Sequence, residues 1–239
     1  HGLTSVAQIV EIVVLAVVAT RVSPRCFVGD TQVVLYEAEP GITVHTGTSI
    51  SGAEGFIGNF RSVLSTGVSQ ETVNHGVAIL STGAREDTPH EYLYGDHAAV
   101  VTHLEMDELF RQDDRRIREA GDVVLIQCVG SRNEARPYCS KVCCTHSIQS
   151  ALELKKRNPQ TNVYILYRDI RTYGKREDLY REARSRGVLF FRYDPADKPE
   201  VSSKGNRVAV RFKDPTLGRE LTVDADILCL AAAIVPHEN

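Results

Sequence analysis

VVLIQCVGSRNEARPYCSKVCCTHSIQSALELKKR, residues 123–157, decides the fold by the order of its patterns. The apolar run at 123–126 predicts a buried strand. A polar stretch with Gly130 and Pro137 predicts a loop. From about residue 140 a helical pattern begins, with Ile148, Ala151, Leu152 and Leu154 on one face. Asn158-Pro159 stops that helix. Residues 162–167 then read as a second strand. Strand, loop, helix and strand make a βαβ unit, which implies a parallel sheet with a right-handed crossover.

Four of the six cysteines of the chain fall in this window: Cys128, Cys139, Cys143 and Cys144. Thiolates are soft ligands, and four of them suit an iron–sulfur cluster or a zinc ion. The spacing C-x10-C-x3-C-C is neither that of a simple ferredoxin nor the paired C-x2-C of a zinc finger. Adjacent cysteines on a helix diverge by about 100 degrees, since a turn takes about 3.6 residues. A [4Fe-4S] cubane accepts that spread better than a single zinc ion. Amide N–H groups at the helix start would stabilise its negative charge. Buried thiols without a ligand and a redox-active dithiol are the remaining readings. The dithiol lacks the usual spacing, because Cys139 and Cys143 are separated by three residues.

In nucleotide-binding βαβ units, glycines follow the first strand and admit a pyrophosphate. Here that place holds Gln127 to Arg132, and the helix opens with cysteines. Sulfur ligands thus stand where a nicotinamide cofactor's phosphates would lie, and electron transfer is the implied task. His146 is expected to pack or to face solvent rather than to ligate. Arg132, Lys141 and Arg168 are read as solvated cations, with tuning of the cluster or docking of an acidic partner as the functional alternative. The polar and aromatic stretch at 167–175 is either a cover for the cluster or a solvated loop.

Working outward, residues 9–18 are apolar without a decisive period. Cys26 stands alone and reads as an inert buried thiol. Residues 31–36 and 42–45 read as strands, and 55–64 leads to another, with 71–73 as its pairing partner. Residues 77–83 read as a buried strand ending in Thr82 and Gly83, where glycine would allow a ligand close to the backbone. Residues 89–95 connect onward. A short helix from 104 to 110 has a polar continuation to 120. Residues 176–185 form a second amphipathic helix, 188–193 a strand, 207–213 and 220–223 an antiparallel pair, and 226–232 a returning buried strand.

The 239 residues are enough for one large or two small domains, and 42% hydrophobic content supplies a core. A formal net charge of −3 argues against a dedicated nucleic-acid surface. The apolar stretch 12–19 is too short for a membrane span, which takes roughly 20 residues. It also lacks the basic flank of a signal peptide. A reducing cytoplasm is the expected setting. The sequence starts without Met and stops three residues after Pro236, so both ends read as cut from something longer.

IQCVGSR at 126–132, YCSKVCC at 138–144 and YRDIRTYGK at 167–175 closely resemble the A subunit of heterodisulfide reductase and its relatives. The resemblance covers roughly residues 42–236. It implies a thioredoxin-reductase-like flavoprotein core with FAD, and a [4Fe-4S] cluster held by Cys128, Cys139, Cys143 and Cys144. It also implies a fold class: α/β, an incomplete FAD-domain portion plus an inserted nucleotide-binding-like βαβ domain with a parallel sheet. The expected boundaries are 1–95 for the partial FAD domain, 96–226 for the inserted domain and 227–239 for the returning crossover strand.

Thr82, Gly83 and Ala233 are the implied FAD contacts; the family usually carries glycine where this chain has Ala233. No G-x-G-x-x-G follows an N-terminal strand, so the chain alone is expected to bind little FAD. No catalytic residue is assigned. The implied function is an electron-transfer module of an oxidoreductase complex, passing electrons between the cluster and FAD or partner subunits. Those partners are other heterodisulfide-reductase-like subunits or the missing flavoprotein portion, together with a ferredoxin-like carrier. The alternatives are an NAD(P)H-dependent disulfide reductase and a non-enzymatic structural protein stabilised by zinc.

Overall fold

The computed structural model describes residues 12–13, 43, 45, 47–80, 83–216 and 218–236. It divides into two compact units, residues 1–83 with 236–239, and Ala84–Val235.

In the first unit β1 (Ile12–Val13) pairs in parallel with β5 (Val77–Ala78). Between them in sequence lies an antiparallel meander of β2 (Ser49–Phe56), β3 (Asn59–Ser65) and β4 (Gln70–His75). Residues 71–73 do pair with the third strand, as expected. Ser62 and Leu64 form the buried side of β3, and the Ser62 hydroxyl meets His75 Nε2 at 2.9 Å. The expected buried strand at 77–83 is corrected: among the described residues of this stretch only Val77 and Ala78 pair, while Ile79 and Leu80 are exposed. A strand is buried when layers cover both of its faces, and a two-residue pairing recruits none. Residues 31–36, Cys26 and Thr82 lie outside the described residues, and Thr43 and His45 belong to no strand.

The second unit opens with β6 (Arg85–Glu86), which pairs antiparallel with β15 (Ile234–Val235). Its centre is a parallel five-stranded sheet of β7 (Val100–Thr102), β8 (Asp122–Val129), β9 (Asn162–Tyr167), β10 (Leu189–Arg192) and β14 (Ile227–Ala232). The strand order is β10-β9-β8-β14-β7. One face packs against α1 (His103–Arg111) and α3 (Cys143–Arg157), through Val123, Leu125, Ile165 and Ile227 on the sheet and Ile148, Ala151 and Leu154 on α3. The other face packs against an antiparallel sheet of β11 (Glu200–Lys204), β12 (Arg207–Asp214) and β13 (Arg219–Ala225). Val124, Ile126 and Leu228 meet Val208, Val210 and Phe212 there. Strands covered on both faces need apolar residues at consecutive positions, and Val123 to Ile126 are each fully buried.

The expected single helix after residue 104 is instead two. Thr102 and Glu105 close a capping box on α1, and Asp114 caps α2 (Arg115–Glu119). Asp113 between them takes φ 50°, a left-handed conformation that ends the first helix. The strand β11 escaped sequence reading because only Val201 in it is apolar. The amphipathic α4 (Glu177–Ser185) follows a short 3-10 turn, Gly174–Arg176.

Ile148 sits at the middle of the α3–sheet contact with no exposed surface. Ile148→Ala is expected to cost about 2–5 kcal/mol of stability, read as a lower urea midpoint. A loss under about 1 kcal/mol would show that α3 is not seated on the sheet as described.

Candidate metal centre

The site begins with an interruption in β8. Its register with β14 runs Leu230 opposite Ile126 and then Ala232 opposite Val129. Gln127 and Cys128 therefore stand together against Ala231, which is a β-bulge. Gln127 keeps the strand's alternation: its amide nitrogen donates to Ser147 Oγ on α3. Val129 returns to the face of Ile126. Cys128 is the extra residue, and its φ of 62° turns it out of the ladder. A residue with a Cβ in that region costs about 1–2 kcal/mol. Arg132 and Lys141 also have positive φ, so three non-glycine residues with left-handed backbone lie between Cys128 and Lys141. Such clustering marks functional sites more than structural ones.

The connection from β8 to α3, residues 130–142, is long beside the about 2–6 residues usual in α/β units. Its backbone is tied down at several points. Arg132 N donates to Tyr138 O at 3.2 Å, and Asn133 N to Arg136 O at 3.1 Å. The Arg136 guanidinium donates to Gly130 O at 3.2 Å and pairs with Asp87 at 2.7 Å. Ser140 Oγ accepts from Ile234 N at 3.0 Å, anchoring the loop to β15. Cys143 and Cys144 are the first two residues of α3, whose N-cap Val142 offers no side-chain hydrogen bond. No side chain of the N-cap residue therefore satisfies the amide donors of that turn.

Cys128, Cys139, Cys143 and Cys144 line one small pocket that opens to solvent. Ser131, Arg132, Ser140, Lys141, Asp169 and Arg171 complete its wall. Lys141 N donates to Cys139 Sγ at 3.3 Å, and Arg132 Nη1 lies 3.8 Å from Cys128 Sγ. The Cys143 thiol points to Ala232 O at 3.9 Å and the Cys144 thiol to Asp169 O at 3.8 Å. Asp169 is gripped by Arg132 and by Arg171, the latter at 3.0 Å. Burial works against its charge, but the two guanidiniums hold its carboxyl below the usual range.

Burial pushes the thiols of Cys128 and Cys144 up, and that of Cys143 up to about 12. Neighbouring cysteines add to the rise at all three, because one thiolate disfavours the next. Four negative charges cannot gather here unless something positive replaces the protons, which is what a metal centre does. Among the described residues no group of three or more His, Cys, Asp or Glu side chains is arranged to hold a metal ion. The thiols line the wall from three backbone segments. Four soft donors spread in this way, with cations beside them, fit an iron–sulfur cluster.

The other singled-out residues separate. His146 is not in the pocket; it pairs with Asp107 at 3.0 Å and stacks on His103 at 4.3 Å between ring centres. Arg168 holds Arg132 O at 2.8 Å. Gly83 is exposed, with φ 71°. Ala233 is buried and borders a second pocket at the carboxyl ends of β8 and β14, with Gly130, Arg136 and Asp87. Cys229 lies in the core, its thiol pushed far up by burial. The stretch 167–175, read as a cover for the cluster or a solvated loop, brings Asp169 and Arg171 to the pocket wall, although neither was singled out as a site residue. The signal was available: β9 neighbours β8 in parallel, so their carboxyl ends share one edge of the sheet.

The fold and pocket define a class: a parallel α/β unit whose β8–α3 connection carries thiols where a nucleotide-binding unit carries glycines. No protein-family model matches the chain. The A subunit of the H(2):CoB-CoM heterodisulfide,ferredoxin reductase of Methanothermobacter marburgensis is 34% identical over 180 residues, 69% of this chain and 27% of that protein. The iron-sulfur A subunit of the CoB–CoM heterodisulfide reductase of Methanocaldococcus jannaschii is 37% identical over 162 residues, 62% and 24% respectively. The chain belongs to the family of heterodisulfide reductase A subunits, and it spans about a quarter of the length of these relatives. Among solved structures, T. acidophilum thioredoxin reductase aligns with a TM-score of 0.43 at 16% identity, over 82% of this chain and 55% of that one.

Two outcomes are expected of the metal-free chain. Cys128→Gly should raise its stability by about 1 kcal/mol, since glycine accepts the bulge conformation without strain. An unchanged or lower urea midpoint would count against that backbone. The second concerns alkali. The folded chain keeps protons on Cys143 that the unfolded chain releases near the ordinary thiol value, so the folded state binds more protons above that pH. Stability should therefore fall as pH rises from about 8.5 toward 12. Cys143→Ser should flatten that fall, and an equally steep slope in the variant would contradict the assignment.

Proposed function

We propose that the chain is an electron-transfer module of a heterodisulfide-reductase-like oxidoreductase, holding a [4Fe-4S] cluster on Cys128, Cys139, Cys143 and Cys144. The observation that carries this is the gathering of four thiols from a strand bulge, a loop and a helix start around one pocket. Relatives named as iron-sulfur and ferredoxin reductase subunits support the same reading.

Bound there, the cluster supplies one-electron chemistry. The residues of the chain do the rest. Arg132, Lys141 and Arg171 offset the negative charge of the ligands. The Lys141 amide donates toward the Cys139 sulfur, and a donor to sulfur favours the more negative, reduced state. In the whole assembly a cluster held by these four cysteines would exchange electrons with FAD or with partner subunits. Thr82, Gly83 and Ala233 are assigned to the flavin side. A reducing compartment, the cytoplasm, suits thiol ligation. Among the described residues no helix is long and apolar enough to cross a membrane.

Anaerobic reconstitution with iron and sulfide is expected to load about four of each per chain and to give a broad thiolate-to-iron absorption band. Cys139→Ser should lose most of that occupancy. A folded chain that takes up no iron ends this reading; full loading in the serine variant shows that Cys139 is not a ligand. Metal analysis done without air separates iron from adventitious zinc.

A further inference from the structure

The two segments that build the thiol pocket have a charge of their own. Residues 130–142 and 167–176 contain seven Lys and Arg against two Asp and Glu. The whole chain has 28 against 31, so 21 against 29 remain elsewhere. Asp169, one of the two carboxylates, is already held by Arg132 and Arg171. Lys141, Arg171, Lys175 and Arg176 are exposed. Beside them stand three large side chains that a lone domain would gain by covering: Tyr173 is 64% exposed, Val142 50% and Tyr138 44%. Each neighbours a pocket-lining residue or lies two positions from one. Tyrosine and arginine around a small apolar centre are the composition of a protein interface.

We infer that this rim, formed by Tyr138, Lys141, Val142, Arg171 and Tyr173, is a docking surface for a small acidic electron-carrier protein that presents carboxylates around its own redox centre. The inference rests on the cluster reading for its purpose, because docking over the pocket mouth brings the carrier beside the thiol ligands. Its evidence is charge complementarity. A basic rim on an otherwise acidic chain attracts an acidic partner. The exposed tyrosines then supply contact area once the partner is steered in.

The test uses the reconstituted chain and a small acidic two-cluster ferredoxin as probe. Association is followed by fluorescence titration and stopped flow at low and high ionic strength. Lys141→Glu with Arg171→Glu should slow association on the order of tenfold or more at low salt. Added salt should shrink the difference, since charges beyond about 10 Å are screened at 0.1 M. Lys175→Glu with Arg176→Glu, which leaves the pocket wall intact, should act in the same direction. Ferredoxin variants with carboxylates changed to Lys should recover association with the charge-reversed chain.

Equal association by wild type and both charge-reversed variants, with iron content unchanged, overturns the inference. So does equally tight binding of a single-stranded oligonucleotide of similar charge, which would reveal a general polyanion surface. Binding is measured with the iron-free chain as well. Salt-sensitive docking by a chain that never takes up iron keeps the surface and removes the cluster reading; a loaded chain that ignores the probe does the reverse.

Discussion

Everything at the site depends on where β8 stops behaving as a strand. Up to Ile126 it is hydrogen-bonded on both sides and covered on both faces, so each side chain has a fixed address. One extra residue in the ladder then releases Cys128 from that address. A straight strand would have sent Cys128 to the face of Ile126, against the antiparallel layer. The bulge sends it to the edge of the sheet, where the loop and the first turn of α3 bring the other three cysteines. The left-handed φ that this requires is a local cost, supported by the sheet on one side and by the Gln127–Ser147 contact on the other.

Electrostatics at the pocket favours protonated thiols over free thiolates. Burial and mutual repulsion keep protons on Cys128, Cys143 and Cys144. Ligation reverses that preference, because a cationic centre compensates the charge that burial penalises. Arg132 and Arg171 stand ready beside the sulfurs, with Asp169 holding both in place. The same cations make the rim basic on a chain whose total charge is slightly negative.

The βαβ unit was legible because its signals are local. The run at 123–126, the helical spacing of Ile148, Ala151 and Leu154, and the Asn158-Pro159 stop each depend on a few neighbouring residues. The four cysteines were legible for the same reason, since side-chain chemistry and spacing alone single them out. The apolar run at 77–80 misled, because hydrophobicity reports a preference for burial and not the presence of a covering layer. The break at Asp113 was missed, since a polar continuation reads the same whether or not one residue between two turns is left-handed.

What the sequence by itself determined was the donor set, the strand–loop–helix order that carries it and the kinship with the heterodisulfide reductase family. Those follow from residue types and short spacings. Only the tertiary structure decided that Cys128 leaves its strand by a bulge. It also decided that Asp169 and Arg171, on the far side of a helix in sequence, face the same sulfurs, and that His146 belongs to a packed pair with His103. These depend on register and strand order, which are set by the burial of two sheet faces at once and by no single segment of the chain.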